Sequence, residues 1–264
     1  RMAGAAYLPA HRAVIFDEAH QLDRVATESL GLRISPRTVG WHLRRLHGKR
    51  RENSLLGRHG NTAARLLWEE CKQYNEVFFG QLEERLRSGA AAGGEGLALH
   101  DELIDEPLTA VLGALASELA NAAARVEEVD ARMELTARVN GLDSLCATLR
   151  ALCVPNKEAP VHLVRWLEPS RHGPILCGAP LDVSAALREH LWKSGRVAVL
   201  TSATLGPGDD HGFTWLRRQL GLDDADARRL GSPFDYDRAV EFVIEEAMPD
   251  PGSQAIDYRR ECAE

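Results

Sequence analysis

Residues 13–20, Ala-Val-Ile-Phe-Asp-Glu-Ala-His, constrain this chain more than any other stretch. Four apolar residues run straight into two adjacent carboxylates and a histidine. A short unbroken apolar run is what a central strand of a parallel α/β sheet needs when both its faces are covered. Groups that follow such a strand emerge at the carboxyl edge of the sheet, where open α/β folds bind ligands. Asp17 is then placed to hold Mg2+ through a water, with the ion bridging nucleotide phosphates. Glu18, one residue further out, could orient or deprotonate an attacking water. A plainer account is a strand followed by a helix whose N-terminus favours acids.

The totals narrow the class. A chain of 264 residues with 44% hydrophobic and 27% charged residues has the balance of a soluble globular protein of one or two domains. No apolar run approaches the length of a membrane span, and Arg1 to Ala6 lack a signal-peptide core. The five cysteines, at 71, 146, 153, 177 and 262, form no C-x-x-C pair. Their odd number and scatter point to a reducing, cytoplasmic compartment and away from a zinc site within the chain. The net charge of −7 excludes a protein that coats nucleic acid with its whole surface, though not a local basic groove.

Along the chain, Leu8-Pro9 leads in as a loop, and Gln21 to Leu30 has helical spacing ended by Gly31. Ser35-Pro36 supplies a helix N-cap with proline at the first helical position, and Val39, Leu43 and Leu46 follow on one face. That helix carries Arg37, Arg44 and Arg45 and runs into Lys49, Arg50 and Arg51, which form either a solvated face or a phosphate-contacting patch. A helix is expected over 61–87, then a flexible connector over Ser88 to Gly96. From Pro107, Leu108, Leu112, Leu115, Leu119, Ala122, Val126, Val129 and Met133 alternate four- and three-residue steps as a heptad seam. The pattern shifts phase near Leu135 and resumes to Cys153. A continuous helix over 107–153 would be about 70 Å long and would need a partner, for which 61–87 is the expected candidate.

Beyond Pro155 the pattern changes. Residues 161–167 alternate as a strand, Ile175 to Cys177 begins another, and Pro180 to Trp192 reads as a helix. Val197 to Leu200 then repeats the opening device: an apolar strand followed at once by Thr201, Ser202, Ala203 and Thr204. A short helix over Phe213 to Leu220 ends at Gly221, Ser232 to Tyr236 is a turn, and Val240 to Ile244 reads as a strand. Ser202 lacks the G-x-S-x-G elbow of a nucleophile and reads as a structural or coupling hydroxyl. The ten histidines lack zinc-ligand spacing, and Trp166, Trp192 and Trp215 read as core.

Three stretches together, Asp17-Glu18-Ala19-His20-Gln21-Leu22, Leu200-Thr201-Ser202-Ala203-Thr204-Leu205 and Gly231-Ser232-Pro233-Phe234-Asp235-Tyr236, resemble the DinG/YoaA branch of the XPD-like superfamily 2 DNA helicases. Leu8-Pro9, Arg165-Trp166-Leu167-Glu168 and Ala179-Pro180-Leu181-Asp182-Val183 add to the likeness. The resemblance implies an α/β fold: a partial RecA-like motor domain with a parallel sheet and a large all-α arch insertion. It divides the chain into 1–30 (first motor domain with the acidic box), 31–160 (arch), 161–230 (remainder of the first motor domain) and 231–264 (start of the second). It implies ATP and Mg2+ as cofactors, with Asp17 as the Mg2+-linked acid and Glu18 as the residue that activates water. His20 and Thr201 to Thr204 would couple nucleotide state to movement on DNA. Arg44, Arg45, Lys49, Arg50, Arg51, Ser232 and Phe234 are the candidate DNA contacts.

The same resemblance implies single-stranded and forked DNA as partners, a replication or repair protein as a further one, and 5′ to 3′ movement in repair or replication rescue. No G-x-x-x-x-G-K-[ST] and no Q-x-x-G-R-x-x-R occurs in the chain. The phosphate loop is therefore expected upstream of Arg1, together with the cysteines of a possible 4Fe-4S cluster. The arginine of the second motor domain is expected beyond Glu264, and this piece alone should be inactive. The competing reading is a helical protein-interaction module with a vestigial nucleotide site. Apolar residues left exposed along 107–153 would favour it.

Overall fold

The computed structural model describes residues 11–47, 54–89, 96–100, 103–155, 162–193, 195, 197–205, 210–222, 224–241, 243–244 and 248–263. Contacts divide the chain into two units, Arg1–Ala225 and Asp226–Glu264.

The first unit is a mixed α/β structure with two sheets. Strand β1 (Ala13–Phe16) pairs in parallel with β6 (Val197–Leu200), in the register Ala13 to Val197 through Phe16 to Leu200. Parallel strands so far apart in sequence need a long crossover, and residues 17–196 provide it. A second, antiparallel sheet has the order β2 (Leu32–Ile34), β5 (Ile175–Pro180), β4 (Leu163–Glu168), β3 (Leu97–Leu99).

The helices follow the apolar spacing. Helix α1 (Leu22–Leu30) comes directly after β1, with a single 3₁₀ turn between. In α2 (Pro36–Leu46) the Ser35 hydroxyl accepts from the Thr38 amide at 3.1 Å and Pro36 opens the helix, as the sequence predicts. A short α3 (Leu55–His59) leads to α4 (Thr62–Gly89). Helices α5 (Leu108–Arg125) and α6 (Val129–Cys153) follow, and β4 and β5 come after them. Helix α7 (Ser184–Leu187) continues as a π-helical turn to Trp192, and α8 (Asp210–Leu220) ends at Gly221. Gly221 has φ of +69°, and a Cβ there would lie 2.5 Å from the Ser184 carbonyl oxygen. Only glycine fits both demands.

Two cores result. The larger joins α2, α4, α5, α6 and the antiparallel sheet around Phe78, Ile34, Leu43, Leu112, Leu119, Leu135 and Leu149. The smaller lies beneath the parallel pair, where Ala26, Val183, Leu187, Leu216 and Leu220 gather with Leu22, Trp192 and Leu200. Arg165 is 4% exposed and donates to the carbonyls of Leu152, in the last turn of α6, and His100. It satisfies a helix-end carbonyl that would otherwise be orphaned.

Several expectations are corrected. Residues 107–153 do not form one rod: the chain is extended at Val126 and Glu128, and α5 and α6 pack against each other as a hairpin. The heptad seam finds its partner in its own continuation as well as in α4, so Leu112, Leu115, Leu119 and Leu135 are all fully buried. The span 31–160 is mainly helical but also supplies β2 and β3, whose three-residue lengths are too short to show alternation. The parallel pair is covered on one face only: Ile15 is 69% exposed and Val197 63%, because α1, α7 and α8 pack beneath a single side. Trp215 is exposed rather than core, since α8 turns Leu216 and Leu220 inward instead.

The second unit holds α9 (Tyr236–Ala239) and α10 (Ala255–Glu261). Val240, Val243 and Ile244 are exposed and lie outside any strand, because among the described residues they have no strand to pair with.

Burial fixes thiol chemistry. Cys71, Cys146, Cys153 and Cys177 are buried, and desolvation pushes Cys71, Cys153 and Cys177 up to about 12. Cys262 is exposed. In a thiol titration of the native protein, Cys262 should react rapidly while the other four react only on unfolding. Rapid modification of Cys71 or Cys153 in native buffer would contradict this packing.

Candidate nucleotide site

The in-register pairing of β1 with β6 delivers the residues after both strands to one rim. Backbone bonds lock the junction: the Thr201 amide donates to the Phe16 carbonyl at 2.9 Å, and the Ala19 amide to the Thr201 carbonyl at 3.0 Å. Asp17 Oδ1 accepts from the Thr201 hydroxyl at 3.0 Å and from the Glu18 amide at 3.0 Å. Asp17 is thus oriented by the other strand's first polar residue. Its Oδ2 has no hydrogen bond among the described residues and Asp17 is exposed.

Glu18 and His20 form a second cluster with Ser202. His20 Nδ1 lies 2.8 Å from the Ser202 hydroxyl and 3.2 Å from Glu18 Oε2, and the Ser202 hydroxyl lies 3.4 Å from the same carboxylate oxygen. The Thr204 amide donates to Ser202 Oγ at 3.1 Å, closing the loop on itself. Glu18, His20 and Thr204 are exposed, Glu18 at 61%, and Ser202 is half-buried. Ala19 is the buried anchor that turns the chain from strand to helix.

The turn has a conformational cost. Glu18 has φ of 51° and ψ of 40°, the one non-glycine residue with positive φ among the described residues. A left-handed glutamate costs about 1 kcal/mol and persists only where its surroundings impose it. The strain points the carboxylate back over the rim toward His20 and Ser202.

The donor set fits Mg2+. Asp17 Oδ2 and the adjacent Thr201 hydroxyl are hard oxygen ligands on an open rim, and Mg2+ retains most of its waters. No three acidic, histidine or cysteine side chains converge among the described residues, so the site offers one carboxylate rather than a protein cage. The cysteines do not fit an iron–sulfur cluster: four are buried, and no three metal-ligating side chains gather among the described residues.

The structure therefore brings Asp17, Glu18, His20, Thr201, Ser202 and Thr204 together, with Ala203 in the same turn. Arg44 and Arg45 lie exposed on α2, in the other part of the same unit. Ser232 and Phe234 belong to the second unit, where the Ser232 hydroxyl accepts from the Phe234 amide at 3.1 Å. Lys49, Arg50 and Arg51 lie outside the described residues. Sequence reasoning missed the left-handed backbone at Glu18, which no residue type signals, and the Thr201 to Asp17 bond. The second was findable, since any parallel pairing of the two apolar runs puts those positions side by side.

The strand-tip carboxylates are thus bonded to the loop of a parallel neighbour at the carboxyl edge of the pair, where open α/β folds bind ligands. No protein-family model matches the chain. It is 35% identical over 109 residues to the ATP-dependent DNA helicase DinG of Photobacterium profundum, covering 39% of this chain and 16% of that protein. It is 25% identical over 235 residues to the probable ATP-dependent helicase YpvA of Bacillus subtilis, covering 88% of this chain and 34% of that one. The chain spans about a sixth and a third of the two relatives' lengths. Among solved structures, an XPD helicase aligns with a TM-score of 0.41 at 14% identity over 79% of this chain and 29% of its own. The Xpd4 protein of S. tokodaii aligns with 0.37 at 17% over 74% and 34%.

Because Glu18 is held left-handed, Glu18→Gly should raise stability by up to about 1 kcal/mol, read as a higher denaturant midpoint. Glu18→Val should lower it. A lower midpoint for the glycine variant would contradict the strained turn.

Proposed function

We propose that this chain is the central part of an ATP-dependent DNA helicase of the DinG/XPD-like kind, coupling Mg-ATP hydrolysis to duplex unwinding. The observation that carries the reading is the single network joining Asp17, Glu18 and His20 to Thr201 and Ser202 at the rim of the parallel pair. Curated relatives that are named as helicases support it. Mg2+ held at Asp17 through water would neutralise phosphate charge. Asp17 is kept in place for this by the Thr201 hydroxyl. Glu18 orients the attacking water and takes its proton as that water meets the γ-phosphate in line. His20, bonded to Ser202, senses whether Glu18 is engaged and passes this to the Thr201–Thr204 loop.

In this reading 1–30 and 161–230 are parts of a first RecA-like domain, 31–160 an arch, and 231–264 the start of a second motor domain. A two-stranded ladder with Ile15, Val197 and Val199 exposed supports a larger sheet and a further covering layer in the parent protein. The phosphate-binding lysine and the second domain's arginine come from elsewhere in the parent, so the 264 residues alone are inactive. The ligands of any 4Fe-4S cluster lie outside this chain as well. Movement is 5′ to 3′ on single strands and forks in repair or replication rescue, in the cytoplasm, with a replication or repair protein as partner. Arg44, Arg45, Ser232 and Phe234 contact the DNA. No helix among the described residues is long and apolar enough to cross a membrane. The interaction-module alternative draws little support, because most of the α5–α6 seam is buried inside the helical core and, among the described residues of 107–153, the large apolar side chains left exposed are Val129 and Met133 near the hairpin tip.

In the full-length protein, Glu18→Gln should lower ATP turnover by at least about a hundredfold while leaving nucleotide binding largely intact. Turnover at the wild-type rate would remove Glu18 from the chemistry and with it this reading of the rim.

A further inference from the structure

Helix α2 buries Val39, Leu43 and Leu46 and turns the opposite stripe to solvent. That stripe is Arg37, Trp41, Arg44 and Arg45, at the i, i+4, i+7 and i+8 spacing of one helical face. Trp41 is 46% exposed although it is among the largest apolar side chains on the surface. The Arg45 guanidinium carbon lies 4.7 Å from the Trp41 ring centroid, and His42 meets the same ring edge-on at 4.8 Å. The ring is therefore held, not loose. Arg44 folds back along the helix, with Nη1 3.0 Å from where a Gly40 side chain would begin, so glycine leaves room for it.

None of Arg37, Arg44 and Arg45 has a carboxylate partner among the described residues, in a protein whose net charge is −7. The local field is positive. His42 is held below the usual histidine range by burial, by Arg138 of α6 and by Arg45. On α6, Glu134 lies 3.8 Å from Arg138 and is engaged with it. Trp215, also exposed beside arginines, differs in this respect: Arg218 of α8 lies in the field of Asp182.

We propose that this face of α2 binds single-stranded nucleic acid, one base stacking on the Trp41–Arg45 pair while Arg37 and Arg44 take the flanking phosphates. A pinned, half-exposed indole supplies sequence-tolerant stacking, and unpaired guanidiniums supply the backbone contacts. A duplex cannot use the indole, because its bases are already stacked and paired. A folded protein partner would have to bury three uncompensated arginines. The proposal rests on the helicase reading only for the choice of DNA as the strand.

The test uses the full-length protein without nucleotide and a fluorescent oligothymidylate. Trp41→Ala should weaken binding roughly five- to a hundredfold, with Trp41→Phe retaining most of the affinity. The salt dependence should be unchanged by Trp41→Ala but lowered by about one phosphate for Arg44→Ala. Strands carrying iododeoxyuridine should photocrosslink to Trp41. Wild-type affinity for Trp41→Ala, crosslinks confined to other peptides, or an equal loss of duplex binding would overturn the proposal. Intact ATP turnover alongside unaltered Trp41→Ala binding sinks this inference alone. Absent turnover with Trp41-dependent binding sinks the motor reading and leaves the strand site standing.

Discussion

The parallel pairing of β1 with β6 is the constraint on which the rest depends. Each strand is four residues long and delivers nothing by itself. In register, Phe16 lies opposite Leu200, so the next residues, Asp17 and Thr201, must meet. The hydroxyl–carboxylate bond between them follows from that register. A shift of one residue would turn the side chains to the opposite face and scatter the rim. The inner faces of the strands find their support in α1, α7 and α8, and Phe16 packs edge-to-face on Trp192 at 6.0 Å. The local stability of the site is therefore set by a small core distinct from the large helical one.

The rim concentrates conformational cost where chemistry is expected. Its backbone is anchored by the Ala19 to Thr201 bond and by burial of Ala19, which lets Glu18 occupy a left-handed conformation that a free turn would abandon. His20 Nδ1 then stands within reach of both Glu18 and Ser202 and can bond fully to only one of them at a time. By contrast Arg33 and Glu168 form a bidentate pair between β2 and β4, reinforced by Trp166 Nε1 at 2.8 Å, with no such ambiguity. That pair is scaffold, and it lowers the Glu168 carboxyl chiefly through the Arg33 hydrogen bond.

Much of this was legible in the sequence, for identifiable reasons. The two apolar runs and the polar residues after them announced the rim, because a strand must end in something and these ended in carboxylates and hydroxyls. Ser35-Pro36 announced α2, because a cap and a fixed φ act locally. Legibility failed where tertiary choices decided the outcome. The heptad seam of 107–153 is satisfied equally by a rod or a hairpin, and only packing selects the hairpin at Val126 to Glu128. Strands β2 and β3 owe their existence to the edges of β5 and β4 rather than to their own three residues. The arginines of α2 stood out as charge, whereas Trp41 did not, because its exposure depends on which stripe of the helix the core claims.

The central claim is that two segments separated by most of the chain act as one unit at this rim. The most direct measurement is a double-mutant cycle of His20→Ala and Ser202→Ala on ATP turnover by the full-length protein. A shared unit predicts that the double variant turns over no more slowly than the worse single variant. Losses that multiply would show two independent residues and contradict the account.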